Sequence, residues 1–332
     1  MMKVEDNNPI FFPTNHSGSV NSLKFNSNGM KFATSGTDGK INIYSTDKMF
    51  SKENKEKFPD VVLIEGGHNK SINDISFSYP NYGNFLASCG YDKKLIIWKE
   101  KSLNNYQKIY EYMHESVVKC CKFSPYQYGL IVICGTEDGS INIHELERST
   151  QKFKHYELKN IHPKGINSLD WAPASPPINL EEGEEEEEIE NKKFDNEALE
   201  DILPMSFISC GNDCKINIFK AEKNIIESFV IENTIDLKEG NIPLDVAFLN
   251  FIGYTDLTFA CGLKNGKCLI YKKLDKEWKN TSSINIGNSV VKVCWSLCGT
   301  YLGISSKKDG DDNDKVRFFR ENMDDTWIEI QK

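Results

Sequence analysis

The chain has 332 residues, of which 39% are hydrophobic and 11% aromatic, with 19 Phe and 13 Tyr. This apolar content suffices for a large buried core, the length fits a single all-β or repeat domain, and the aromatic share suits strands. Net charge is −9; twelve acids and two lysines between residues 178 and 203 carry −10 of it, so the remainder stands at +1 and lacks the basic stripe that a phosphate backbone demands.

No apolar run approaches the roughly 18 residues of a membrane span, and Met1 to Asn15 has neither the basic start nor the apolar stretch of a signal peptide. A protein of the cytosol or nucleoplasm is expected, with no direct contact to nucleic acid and no insertion into a membrane. Most of the ten cysteines, Cys121, Cys134, Cys210, Cys268 and Cys294 among them, lie in strand-like runs and are expected as small reduced core residues. Cys210/Cys214 and Cys294/Cys298 are four apart without a second pair nearby, so no metal site and no cofactor is expected.

In chain order, one unit recurs six times. The first begins at His16, followed by Val20, Leu23 and Phe25, then the turn at Asp38-Gly39 and the strand Ile41-Asn42-Ile43-Tyr44, then a further strand Val61 to Glu65. The second has His68, Ile72, Ile75 and Phe77, the turn at Asp92, the strand to Trp98, and Gln107 to Tyr112. The third has His114, Val118, Cys121 and Phe123, the turn at Asp138-Gly139, the strand to His144, and Phe153 to Leu158. The fourth has His162, Ile166, Leu169 and Trp171, the turn at Asp213, the strand to Phe219, and Ile226 to Ile231. The fifth and sixth keep the strands but lose the histidine: Val246 and Phe248, the turn at Asn265-Gly266 and Ser282 to Ile286; then Val290, Val293 and Trp295, the strand Val316-Arg317-Phe318-Phe319 and Trp327 to Ile330.

Each unit is a tight turn feeding strands of period two, without the three- and four-residue spacing of helices. Four strands in each of six units predict an all-β, six-bladed propeller, with residues 1–332 as a single domain. Histidine and turn aspartate are 22, 24 and 24 residues apart in the first three units but 51 apart in the fourth. The excess nearly equals the acidic stretch, so residues 178–203 are an insertion between the first two strands of blade four. It has too few apolar residues to pack and is expected to be unstructured, a solvated loop or a docking site for a basic partner.

A histidine, a turn aspartate, a hydroxyl four residues before it and an aromatic resemble the structural tetrad of WD repeats. They are His16, Thr34, Asp38 and Tyr44 in blade one, His68, Ser88, Asp92 and Trp98 in blade two, and His162, Ser209, Asp213 and Phe219 in blade four. Blade three keeps His114 and Asp138 but has Cys134 for the hydroxyl and His144 for the aromatic. Because each pair belongs to its own blade, the pattern points to a buried network holding turn to strand, not to catalysis. His144 and His155 have no nucleophile motif beside them, and no phosphate loop, nucleophile elbow or metal-binding helix is present.

The text Tyr82-Gly83-Asn84-Phe85-Leu86-Ala87-Ser88-Cys89-Gly90-Tyr91-Asp92 and onward to Glu100, Ser124-Pro125-Tyr126-Gln127-Tyr128-Gly129-Leu130 with Cys134-Gly135-Thr136-Glu137-Asp138-Gly139, and Gly165-Ile166-Asn167-Ser168-Leu169-Asp170-Trp171-Ala172-Pro173-Ala174 strongly resembles the Sec-thirteen propellers. The likeness runs from about residue 15 to the end. That family also has an insertion after the Trp-Ala-Pro-Ala stretch, though not a glutamate run; blade five, with Pro243 and no histidine, departs most. The resemblance implies a non-enzymatic scaffold shared by the outer cage of the COPII vesicle coat, in endoplasmic-reticulum-to-Golgi transport, and the outer ring of the nuclear pore. It also implies a propeller open between blades one and six, into which a helical-solenoid coat subunit or nucleoporin donates strands as a seventh blade. The protein would then lie at exit sites of the endoplasmic reticulum, peripheral to the vesicle membrane, and at the pore. The chain's own C-terminal strand already completes blade six, which leaves the N-terminus unneeded as a clasp. Partner contacts are expected near Ile10, Phe11, Phe12, Ile41 and Ile43 on blade one, and near Val316, Phe318, Phe319, Trp327 and Ile330 on blade six. Two other readings stand beside this one: a Seh-one-type pore and nutrient-signalling propeller, and an adaptor reading peptides at the central mouth.

Overall fold

A computed structural model describes residues 14–46, 61–147, 149–174, 204–222, 225–250, 257–307, 315–322 and 326–330. The acidic insertion, and Ile10 to Phe12, lie outside the described residues. Among the described residues, alternating apolar residues and short turns produce 24 strands in six four-stranded antiparallel sheets, each a meander of consecutive strands. This is an all-β, six-bladed propeller with almost no helix. Among the described residues, no sheet borrows a strand from elsewhere in the chain.

The chain divides into two compact units, residues 1–113 and 114–332. Unit one holds blade one, of β1 (Val20–Phe25), β2 (Lys31–Gly36), β3 (Ile41–Ser45) and β4 (Val61–Ile64), and blade two, of β5 (Ile72–Phe77), β6 (Phe85–Gly90), β7 (Lys94–Ser102) and β8 (Asn105–Met113). Unit two begins with blade three, of β9 (Val118–Phe123), β10 (Ile131–Thr136), β11 (Ile141–Glu147) and β12 (Lys152–Leu158). Blade four follows, of β13 (Ile166–Trp171), β14 (Ser206–Gly211), β15 (Lys215–Ala221) and β16 (Phe229–Asp236). Blade five is β17 (Pro243–Phe248), β18 (Thr258–Leu263), β19 (Lys267–Leu274) and β20 (Glu277–Asn285), and blade six is β21 (Ser289–Trp295), β22 (Tyr301–Lys307), β23 (Lys315–Glu321) and β24 (Trp327–Glu329).

Within each unit the core lies between consecutive blades. The third-strand pair Ile41 and Ile43 packs with Ile72 and Ile75 of the next first strand. Ile141 and Ile143 meet Ile166, Leu169 and Trp171, and Ile216 and Ile218 meet Val246 and Phe248. Cys268 and Ile270 meet Val290 and Val293. One face of β3, β11, β15 and β19 is therefore covered by the first strand of the following blade.

Two outer strands differ from expectation. In blade four, Ile226–Ser228 is a 3-10 turn, and the strand starts at Phe229. The Ser228 hydroxyl donates to the carbonyls of Glu222 and Ile225, closing the turn while Ile226 and Phe229 enter the core. In blade five the strand starts earlier, at Glu277, because Asp275 and Lys276 take left-handed conformations (φ 50° and 69°) and close a two-residue hairpin. Eight cysteines are buried, whereas Cys294 and Cys298 are exposed, against the expectation for Cys294.

The turn after the aspartate needs a positive φ. Gly139 supplies it at 88°, and a Cβ there would meet the His162 carbonyl oxygen at 1.8 Å. Blade two puts Lys93 at the same place, with φ 65°. Lys93→Gly is therefore expected to leave stability unchanged or raise it by up to about 1 kcal/mol, whereas Gly139→Ala costs about 1–3 kcal/mol. Urea unfolding measures both; equal effects would contradict the backbone account.

Candidate functional site

The residues of the tetrads come together in three blades. His16 Nδ1 lies 3.0 Å from Asp38 Oδ1, and its Nε2 2.9 Å from Thr34 Oγ1. His68 is 3.0 Å from Asp92 and 2.8 Å from Ser88, whose hydroxyl also accepts from Trp98 Nε1 at 2.9 Å. His162 is 2.8 Å from both Asp213 and Ser209. An Nδ1–H donating to the carboxylate leaves Nε2 to accept from the hydroxyl, so one tautomer serves the whole chain of bonds. Tyr44 donates to the Thr14 carbonyl, while Phe219, lacking a donor, stacks on Phe207 with ring centres 4.5 Å apart.

Burial raises the Asp38 and Asp92 carboxyls, but their histidines, with backbone N–H groups of Ser17 and Lys40 and of Asn69 and Lys94, outweigh it and hold both below the ordinary value. The three imidazoles are buried and spent on their partners. This chemistry fastens a turn and the loop before each first strand; it presents no base to solvent. Blade three differs: Asp138 accepts from Thr136 Oγ1 at 2.6 Å and from the Ser140 N–H at 3.1 Å, and His114 is turned edge-on to His144.

A second set of polar bonds escaped the sequence reading. Ser22 Oγ donates to Asp74 at 2.7 Å, and Ser168 Oγ donates to Asp245 at 2.7 Å, at equivalent register positions of consecutive first strands. Asp245 also takes Lys292 Nζ and the Val293 N–H, both at 2.9 Å. Asp170 takes Lys122 Nζ at 2.9 Å and the Phe248 N–H at 2.8 Å. The outward alternation of the first strands was the available signal, but the partners are dozens of residues apart.

The surfaces that stand out are two apolar blade faces. On the first strands, Ile72, Val118, Ile166 and Val290 are buried, as are Ile75, Cys121, Leu169, Val246 and Val293. Their blade-one equivalents, Val20 and Leu23, are exposed, and Phe25 beside them is 57% exposed. On the third strands, Ile41, Leu95, Ile141, Ile216 and Cys268 are buried, and so are Ile43, Ile97, Ile143, Ile218 and Ile270. Their blade-six equivalents, Val316 and Phe318, are 58% and 48% exposed, joined by exposed Ile328 and Ile330. β24 is short: it pairs only with the Phe319–Glu321 end of β23, and Ile330 adds one bond to the Phe318 carbonyl.

The expected contact residues are therefore redistributed. Ile41 and Ile43 are core residues, because this face of β3 is covered by blade two; the exposed apolar side chains of blade one are on β1 instead. Phe319 is buried and Trp327 is partly buried against the blade-five and blade-six core, while Val316, Phe318 and Ile330 are exposed. Ile10, Phe11 and Phe12 lie outside the described residues. Among the described residues no helix is long and apolar enough to cross a membrane.

Two outcomes follow. Asp92→Ala leaves buried donors without their acceptor and is expected to cost about 1–3 kcal/mol, and Asp138→Ala less, since its bonds are local; equal losses in urea unfolding would contradict the network. Burial, outweighing the pull of Asp213, holds His162 below 6.5. A lowered folded value means that the unfolded chain binds the proton first, so this contribution to stability is complete above pH 6.5 and is lost as pH falls from there through the folded value. The melting temperature of His162→Asn should accordingly fall less between pH 7 and 5 than that of the wild type; an unchanged slope would contradict it.

Residues 7–45 and 61–99 match the family described as WD domain, G-beta repeat. The chain is 28% identical to Protein transport protein SEC13-2 of Candida glabrata over 95% of its own length and 97% of that protein's. It is 25% identical to Protein SEC13 homolog of Drosophila melanogaster over 96% of its own length and 82% of that protein's. Among solved structures it is similar to the Cps50 (Swd1) β-propeller domain of Myceliophteria thermophila, with a TM-score of 0.65 at 14% identity over 94% of this chain and 86% of that one, a likeness of fold.

Proposed function

We propose that this chain is a non-catalytic scaffold subunit in protein transport, a propeller that accepts a short β-blade from a helical-solenoid partner. The observation that carries the reading is the pair of exposed apolar faces, Val20 and Leu23 on blade one and Val316 and Phe318 on blade six, at positions that every other blade buries, with Phe25, Ile328 and Ile330 exposed beside them. A blade covers its neighbour's face with apolar side chains, and strands from a partner supply the same cover by β-augmentation. An opening of the propeller between blades one and six is part of this proposal. Covering four such side chains, each about half exposed, contributes on the order of 3–6 kcal/mol before the cost of association.

The similarity to SEC13 proteins across nearly the whole chain supports the transport role. In the finer form of the reading, the partner is a solenoid subunit of the COPII outer cage or of the nuclear pore outer ring, which puts the protein at sites of vesicle budding and at the pore. The buried, self-satisfied tetrads favour a scaffold over an enzyme.

Leu23→Asp and Phe318→Asp test the reading, because both side chains are exposed and both changes should leave the melting temperature of the free chain nearly unchanged. Each is expected to lower co-purification with a solenoid segment carrying a short blade by at least tenfold. Undiminished co-purification of the double variant would overturn the proposal. So would capture instead of a short peptide that survives both changes, which would favour an adaptor.

A further inference from the structure

Blade three breaks the tetrad in a particular way. The position of the aromatic is His144, that of the hydroxyl is Cys134, and a third imidazole, His155, sits directly across the ladder from His144. His144 and His155 stack with ring centres 4.9 Å apart, and His114 meets His144 edge-on at 5.3 Å. One nitrogen from each of the three rings lies within 4.8 Å of the others. His114 and His144 are buried and His155 is half-buried, so the cluster has one side toward solvent.

We propose that His114, His144 and His155 form a binding site for a zinc-class transition-metal cation. Three converging imidazoles are a donor set suited to zinc, copper or nickel and unsuited to calcium or magnesium. Tetrahedral zinc with bonds of about 2.0–2.1 Å needs its nitrogens about 3.4 Å apart. Ring rotations that close the nitrogens by up to about 1.4 Å would meet that need, with water entering beside His155 in the fourth position.

The surroundings fit ligands rather than a stacked core. His155 Nε2 lies 2.7 Å from the Asn142 side-chain oxygen. An amide oxygen can only accept, so Nε2 carries the hydrogen and Nδ1 the lone pair. Asn142 bonds His114 as well, so one amide orients two of the rings, as outer partners do at metal sites. The elements concerned are the loop before β9, β11 and β12. In blades one, two and four, the tetrad ties the corresponding loop to the turn and the second strand. A cation here would fasten the corresponding loop in the blade that lacks the hydroxyl.

The test uses cobalt(II), as a spectroscopic probe, and zinc(II), on the full chain in a Cys294→Ser, Cys298→Ser background that removes the exposed thiols. One equivalent of cobalt is expected to bind, with the intense visible bands of four-coordinate cobalt, and zinc should displace it. His144→Phe, which restores an aromatic of the kind that blade four has at Phe219, and His155→Ala should each abolish those bands while keeping the β-sheet circular dichroism. Asn142→Ala should weaken binding about 10–100-fold. Absence of four-coordinate cobalt bands in the parent chain, or bands that persist in both histidine variants, would overturn the proposal and leave the rings as a stacked apolar substitute for the tetrad. If one variant fails to fold, the other decides.

Discussion

The structure depends on one contact repeated along the chain: the apolar face of a third strand laid on the first strand of the next blade. Ile141 and Ile143 against Ile166 and Leu169 is one instance, and Cys268 and Ile270 against Val290 and Val293 is another. A single four-stranded sheet cannot bury both of its faces, so each blade needs neighbours, as in other repeat architectures. The incoming face of the first blade and the outgoing face of the last carry apolar residues at the same register, and there they are exposed. Apolar side chains at those positions keep the composition of a core while standing in solvent, a common mark of an interaction surface.

Polar bonds refine this contact. Asp170 and Asp245 collect donors from more than one blade, and the serine-to-aspartate pairs at equivalent register lock neighbouring first strands to one another. The tetrads act inside a blade, holding its turn and leading loop. The two networks divide the work: one sets the internal geometry of a sheet, and the other sets the spacing to its neighbour within a unit. Blade three keeps the second through Lys122 and has altered the first, which is where the histidine cluster arises.

Much of this was legible in the chain. The recurrence of histidine, Asp-Gly turn and alternating apolar residues yields six sheets of four strands, and the histidine–aspartate–hydroxyl groupings of blades one, two and four meet as the spacing implies. Less legible was which strand faces which neighbour. Ile41 and Val316 are equivalent in the text, yet one is buried and the other exposed, because exposure is set by what packs against the strand and not by the residue. The start of β16 was also hidden, since a serine closing a 3-10 turn looks like any strand residue. The convergence of His144 and His155 needed the pairing register, which a spacing of eleven residues does not reveal.

The central claim is that the two exposed faces are incomplete blade contacts awaiting strands from a partner. Hydrogen–deuterium exchange, measured strand by strand on the free chain and on its complex with a solenoid that carries a short blade, tests it most directly. The account predicts that β1 and β23 exchange faster than β5, β13 and β19 in the free chain, and that the partner slows β1 and β23 and leaves the others unchanged. Equal protection of β1 and β23 with the remaining blades in the free chain would contradict it.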